Sequence, residues 1–143
     1  MKVLVAAEAR WVREQIRAAL VAPGQEVIEV TRGQDVRAAV AEQEPDLVIL
    51  DLFIGNMGGI AVAIDLHLEE SAGRLPHVPI LLLLDREADR FLAKRAGVEA
   101  ELVKPVDPGT MRRTVRRLVG TETAAAAARP GQRSEPSEGA DLE

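Results

Sequence analysis

The chain has 143 residues, of which 47% are hydrophobic and 29% are charged, and this composition fits one ordinary domain with a hydrophobic core. No apolar run approaches the roughly 20 residues of a membrane span, and no cleavable leader follows Met1, so we expect a cytoplasmic protein without a membrane segment. The net charge of −5 argues against general binding to nucleic acid, and the absence of cysteine excludes disulfides and thiolate nucleophiles.

The first half of the chain alternates strand and helix patterns. Apolar runs predict the first two strands, at Lys2 to Ala6 and at Val27 to Val30. Apolar residues at helical spacing predict a helix after each strand: Val12, Ile16 and Leu20 for the first, Val36 and Val40 for the second. The run Asp46 to Asp51 is apolar up to its final carboxylate, which predicts a third strand that is covered on both faces.

The second half repeats the alternation after a glycine-rich loop. The predicted elements are a helix carried by Ile60, Ile64 and Leu68, a fourth strand at Ile80 to Leu84, a helix with Phe91 and Leu92, and a short fifth strand at Leu102-Val103. Asp107 is a suitable N-cap for the last helix, whose inward face we assign to Met111, Val115 and Leu118 or Val119.

Five strand-helix units predict an α/β fold, a doubly wound parallel sheet of five strands with helices on both faces. In such a sheet ligand chemistry gathers beyond the carboxyl ends of the strands. That rule indicates four places in this chain: Ala7-Glu8, Asp51, Leu84-Asp85 and Lys104.

The composition changes abruptly after Gly120. Five alanines at 124–128 precede a stretch of Pro, Gly, Ser, Glu and Arg with a single leucine, which cannot form a core. We therefore predict a domain at 1–119 and a disordered Ala/Pro/Glu-rich tail at 120–143, whose alanines can extend the last helix transiently. We expect no DNA-binding or other effector domain in this chain.

The stretch Pro45 to Phe53 resembles the third-strand signature of bacterial response-regulator receiver domains, which belong to two-component systems. Lys104-Pro105 matches their second signature, and the order of elements from Lys2 to Val119 matches as well. The resemblance implies a flavodoxin-like (βα)5 fold, with Asp51 as the phosphoacceptor and Lys104 as the partner of the phosphoryl group. It also implies a cis peptide bond before Pro105, since cis bonds are largely confined to proline.

In this family Mg²⁺ binds to an acidic pair after the first strand together with the acceptor. A gap-free alignment places Ala7 and Glu8 at the acidic pair, which leaves Glu8, Asp51 and the backbone carbonyl of Phe53 as ligands. A frame shifted by one residue places Ala6 and Ala7 there and loses both acids. We therefore expect weak Mg²⁺ binding.

Two further positions depart from the family pattern. Leu84 stands where the family has Ser or Thr, and no hydroxyl residue of either type occurs from Ala72 to Gly109. Glu101 replaces the aromatic residue of the fifth strand. The usual relay from the hydroxyl to the aromatic side chain therefore cannot operate, so phosphorylation and conformational switching are separate questions.

Three functional hypotheses follow. The first is a phosphorelay receiver, a signalling module and no enzyme, which takes a phosphoryl group from a sensor histidine kinase or relay protein and contacts a downstream protein, with a homodimer as an option. The second is a phosphorylation-independent pseudo-receiver whose Asp51–Lys104 pair is structural. The third is a small flavodoxin-like enzyme or flavin carrier, against which the lack of a catalytic His, Cys or Ser at a strand end argues.

Simpler roles remain for the same residues. Asp51 can be a turn-forming residue, and Glu8 can serve the start of a helix. The histidines, His67 and His77, suit surface or packing roles. Four arginines of the last helix form either its solvated face or a docking surface for an acidic partner: Arg112, Arg113, Arg116 and Arg117.

Overall fold

The computed structural model describes residues 1–55 and 57–127, which form one parallel sheet flanked by helices. Five strands build the sheet: β1 (Lys2–Ala6), β2 (Glu26–Val30), β3 (Leu47–Asp51), β6 (Ile80–Leu84) and β7 (Ala100–Val103). Their order is β2-β1-β3-β6-β7 and every pairing is parallel. This is the flavodoxin-like doubly wound order, as predicted.

Five helices connect or follow the strands: α1 (Arg10–Ala19), α2 (Val36–Gln43), α3 (Gly59–Ser71), α4 (Arg90–Ala96) and α5 (Pro108–Ala127). The loop after β3 forms a two-residue hairpin of β4 (Phe53–Ile54) and β5 (Met57–Gly58). Short 3-10 turns precede α2 and α4, at Gly33–Asp35 and Glu87–Asp89. No helix in the described ranges is long and apolar enough to cross a membrane.

The sheet separates two hydrophobic clusters, because successive strand residues point to opposite faces. Val5 and Ile49 pack with α1 and α5 on one face, while Leu4 and Leu50 pack with α2, α3 and α4 on the other. β3 and β6 are buried along their whole length. This double coverage explains why both strands are continuously apolar.

The residues of α3 that face the sheet are not the stripe of Ile60, Ile64 and Leu68 from which this helix was predicted. Ile64 and Leu68 are 45% and 62% exposed, whereas Val62, Ala63 and Leu66 are buried. The helix is apolar on more than one side, so spacing alone selected a stripe that does not face the sheet.

The last helix starts as predicted and extends further. Asp107 caps it by accepting the Thr110 backbone N–H at 3.0 Å, and Met111, Val115 and Leu118 face inward. It runs to Ala127, so the predicted domain boundary after residue 119 falls inside a helix. Residues 128–143 of the predicted tail lie outside the described residues.

Candidate functional site

Asp51 ends β3 at the carboxyl edge of the sheet, where β1 and β6 lie on either side. Only 3% of the residue is exposed, and Oδ1 accepts the backbone N–H of Leu52 at 2.9 Å. Gly59 opens α3 directly against the Asp51 carbonyl, where a Cβ atom would clash with the backbone. Glycine is therefore required for this approach of α3 to the end of the strand.

Lys104 directly follows β7, and its side chain extends past the end of β6 to Asp51. Its Nζ lies 2.5 Å from Asp51 Oδ1 and 2.9 Å from Asp85 Oδ1, and its side chain is 9% exposed. The peptide bond to Pro105 is cis. The predictions of an Asp51–Lys104 ion pair and of a cis Lys104-Pro105 bond are therefore confirmed.

Burial raises the pKa of the Asp51 carboxyl above its ordinary value, although Lys104 and the Leu52 N–H act to lower it. Burial acts to lower the pKa of Lys104, but hydrogen bonds to Asp51 and Asp85 and their charges outweigh it and raise that pKa. Lys104 is thus held as a cation between two carboxylates.

A cleft of about 250 Å³ opens beside this group of charges. Four of the residues predicted for the site line it together: Glu8, Asp51, Phe53 and Lys104. Trp11 completes the wall, and Lys104 Nζ lies 5.9 Å from the centre of its ring, within the range of a cation–π contact. No pattern in the sequence indicated a role for Trp11, a 56% exposed residue in the first turn of α1.

The ligands for a divalent cation are incomplete. Glu8 is exposed at the edge of the cleft, and Ala7 places a methyl group in the core next to α1 and α5. Within the described residues, no group of three or more His, Cys, Asp or Glu side chains is arranged to hold a metal ion. The residues therefore fit Mg²⁺ only in part, through Glu8, Asp51 and the Phe53 carbonyl.

The other two departures from the family pattern have structural roles. Leu84 is fully buried in the cluster under α4, so the end of β6 offers packing and no hydroxyl. Glu101 is paired with Arg90 at 2.9 Å. Asp85 is the functional candidate whose role sequence reasoning missed: the rule of strand ends indicated its position, but nothing indicated that it would bind Lys104.

The sequence profile of the response regulator receiver domain matches residues 3–116. The chain belongs to this family. Phosphorylation-dependent signalling is the standard function of the family, whose members are signalling domains and generally not enzymes. The hypothesis of a small enzyme or flavin carrier therefore has no support.

Among relatives, protein PilH of Pseudomonas aeruginosa is 29% identical over 92 residues, which cover 64% of this chain and 75% of PilH. The KDP operon transcriptional regulatory protein KdpE of Escherichia coli is 32% identical over 130 residues, or 90% of this chain and 55% of KdpE. The chain spans about half the length of most transcriptional regulators that it matches.

Solved structures agree with the fold. The BeF3-activated N-terminal receiver domain of Klebsiella pneumoniae RstA has a TM-score of 0.72 at 25% identity, with 83% of this chain and 98% of that domain covered. Chemotaxis protein CheY4 of Vibrio cholerae has a TM-score of 0.70 at 24% identity, with coverage of 82% and 97%. Receiver domains typically bind Mg²⁺ at the phosphorylation site and interact with histidine kinases or other phosphodonors.

Proposed function

We propose that Asp51 is the phosphoacceptor of this receiver domain and that a sensor histidine kinase or relay protein is its donor. The observation that carries the proposal is the position of the Lys104 ammonium, 2.5 Å from Asp51 Oδ1 at the floor of an open cleft. Phosphoryl transfer depends on a cation that neutralises the transferring oxygens, and Lys104 is placed to provide that charge.

The second carboxylate oxygen of Asp51 is the nucleophile in this proposal. Oδ1 accepts both hydrogen bonds that Asp51 makes in the described part of the chain, which leaves Oδ2 for attack on phosphorus. The new P–O bond forms an acyl phosphate, while the bond from phosphorus to the donor nitrogen breaks and its electron pair stays on the donor imidazole. Lys104 remains protonated throughout, and its ammonium pairs with the negatively charged phosphoryl oxygens.

Magnesium is expected to bind weakly at this site. Glu8, Asp51 and the Phe53 carbonyl would hold it, and two carboxylates with water are ligands that Mg²⁺ accepts. When bound, the ion would neutralise charge on the transferring oxygens. Ala7 supplies no carboxylate, which is the reason for the low affinity.

The experiment is phosphorylation with a small phosphodonor. Wild type and Asp51→Asn are incubated with phosphoramidate and Mg²⁺, and the intact mass is measured over time. A phosphoryl adduct in wild type that is absent from Asp51→Asn supports the proposal. An unmodified wild type, with this donor and with candidate kinases, contradicts it.

A pseudo-receiver is the second candidate, and one observation favours it. Lys104 already has a carboxylate on each side, so its charge is balanced without a phosphoryl group. In that case the Asp51–Lys104 pair is structural and the domain acts through contacts alone. An unmodified wild type in the same experiment is the result that this candidate requires.

The partner surface that we propose is the arginine face of α5, defined by Arg112, Arg113, Arg116 and Arg117. All four are exposed, and none forms a salt bridge with a carboxylate in the described part of the chain. An acidic surface on a downstream protein or a second copy of this chain suits such a face, because complementary charge favours encounter and orientation.

A further inference from the structure

Asp85 is the more accessible of the two carboxylates that bind Lys104. It follows β6 directly, and 37% of its side chain is exposed, compared with 4% for Asp51. Asp85 also lines a second cleft of about 740 Å³, which shares Phe53 with the first. Because Asp85 reaches solvent and binds Lys104, it competes with any anion that enters the cleft to bind the Lys104 ammonium.

We propose that Asp85 restrains phosphorylation of Asp51 by occupying the Lys104 ammonium and by repelling the incoming phosphoryl group. This inference rests on the proposed function, which makes Asp51 the acceptor. Asp85 is accordingly a positioning residue that acts through Lys104 and sets how readily the acceptor is modified.

The chemistry of the neighbouring positions supports this role. A hydroxyl at the end of β6 would donate a hydrogen bond to a phosphoryl oxygen, but Leu84 has no donor. The ionised carboxylate of Asp85 can only accept hydrogen bonds. The end of β6 therefore presents negative charge where a phosphoryl group needs a donor.

No other cation in the cleft replaces Lys104 when Asp85 occupies its ammonium group. Among the described residues that line the cleft, Lys104 is the only cationic one. Arg13 donates to the carbonyls of Ala7 and Glu8 and pairs with Glu29, and Arg86 donates to Asp89. The balance between Asp85 and a phosphoryl group thus depends on a single ammonium.

The test compares Asp85→Asn with wild type in the phosphoramidate reaction, followed by intact mass. Asparagine keeps the shape and removes the charge, so we expect phosphorylation to be about fivefold faster, the upper end for a partly exposed ion pair. The gain should shrink in 1 M salt, where the screening length is about 3 Å. Asp35→Asn is the matched control, since it removes the same charge from an exposed residue that binds Arg32 instead.

The outcomes separate this inference from the proposed function. An adduct in Asp85→Asn alone, lost again in Asp51→Asn/Asp85→Asn, supports the restraint and contradicts phosphorylation of the wild type. An adduct that forms equally fast or faster in wild type overturns the restraint and leaves the acceptor standing. No adduct in either protein overturns both.

A second measurement reports on Lys104 without phosphorylation. The chain has three lysines, so selective ¹³Cε labelling yields three signals that Lys104→Arg assigns. Because Asp85 lies 2.9 Å from Lys104 Nζ, the Lys104 ¹³Cε signal at pH 7 should shift in Asp85→Asn and keep its position in Asp35→Asn. An unshifted Lys104 signal in Asp85→Asn would show that the two groups do not interact in solution and would overturn the inference.

Discussion

Arg90 donates from Nη1 to Glu101 Oε2 at 2.9 Å, which links the first residue of α4 to the second residue of β7. The same guanidinium holds Glu87 in the turn before α4. The family resemblance predicts an aromatic residue at position 101, where this chain has Glu101. An ion pair thus fixes the start of α4 at that position.

We predict that Glu101→Gln loosens α4 without unfolding the domain. The substitution removes the charge that holds Arg90, so backbone amides of 90–96 should exchange with deuterium several-fold faster, because local opening depends on local contacts. Hydrogen exchange with mass spectrometry measures this. Glu14→Gln, which weakens the exposed pair with Arg10 on α1, is the control. Equal exchange of α4 in both variants would mean that Glu101 does not anchor it.

A second prediction concerns Asp51 and stability. Burial raises the pKa of its carboxyl in the folded state, so ionisation of Asp51 is less favourable there than in the unfolded chain. The stability that this group contributes is present below its unfolded pKa, about 3.9, and is lost as the pH rises through the folded value. Asp51→Asn should therefore be more stable than wild type at pH 7.

The difference in the free energy of unfolding between Asp51→Asn and wild type should become smaller as the pH falls toward 4. Lys104 keeps Asp85 as a partner in the variant, so its charge is not left unpaired. Urea unfolding at several pH values checks this. A variant that is less stable at every pH would show that the Asp51–Lys104 attraction outweighs the cost of burial.

The sequence was sufficient for the fold and for much of the site for one physical reason. The carboxyl ends of parallel strands lie at the same edge of the sheet, so the carboxylate that ends β3 and the lysine after β7 were expected at that edge once the strands were recognised. The pairing of Asp85 with Lys104 was not predictable in this way, because two acids compete for one ammonium and only coordinates show the distances. The role of Trp11 was missed because a single exposed aromatic residue in the first turn of a helix belongs to no sequence pattern that predicts a binding site.

The helix α3 lies where the sequence predicted it, but the spacing did not identify its inward face. Ile60, Ile64 and Leu68 have helical spacing, but Val62, Ala63 and Leu66 have it as well and are the residues that face the sheet. Periodicity locates such a helix and cannot orient it when apolar residues surround the axis.

We predict that restoring a hydroxyl at Leu84 is costly. Leu84→Thr removes packing from a fully buried position and should lower the free energy of unfolding by about 2–4 kcal/mol in urea titrations. The hydroxyl should nevertheless prolong the life of the acyl phosphate, measured as decay of the adduct after donor removal. Leu82→Thr, equally buried in the same cluster but inside β6, should lose stability without that gain. Equal lifetimes in the two variants would contradict the role of the position.

A fourth prediction concerns the arginine face of α5. Arg116→Glu/Arg117→Glu should weaken binding to a fluorescent poly-glutamate peptide at least about tenfold at low salt, because two attractive contacts become repulsive. Arg10→Glu/Arg95→Glu changes the net charge equally at exposed sites on α1 and α4. Anisotropy titrations compare them. An equal loss in both double variants would mean that net charge, and not this face, governs the contact.

A fifth prediction tests the alignment that makes Ala7 the missing acid. Ala7→Asp places a carboxylate at a fully buried position directly before Glu8, and it should destabilise the metal-free domain because burial penalises the charge. Mg²⁺ should restore stability because it binds the folded state. Magnesium affinity, followed by fluorescence of Trp11 in the cleft, should rise about tenfold, since ligand charge sets affinity for hard cations. Ala6→Asp represents the shifted frame. Ala6 is buried in the cluster with α2 and α3, so its substitution should lower stability with no recovery in Mg²⁺. Recovery in Ala6→Asp alone would move the acidic pair by one residue and remove Glu8 from the site.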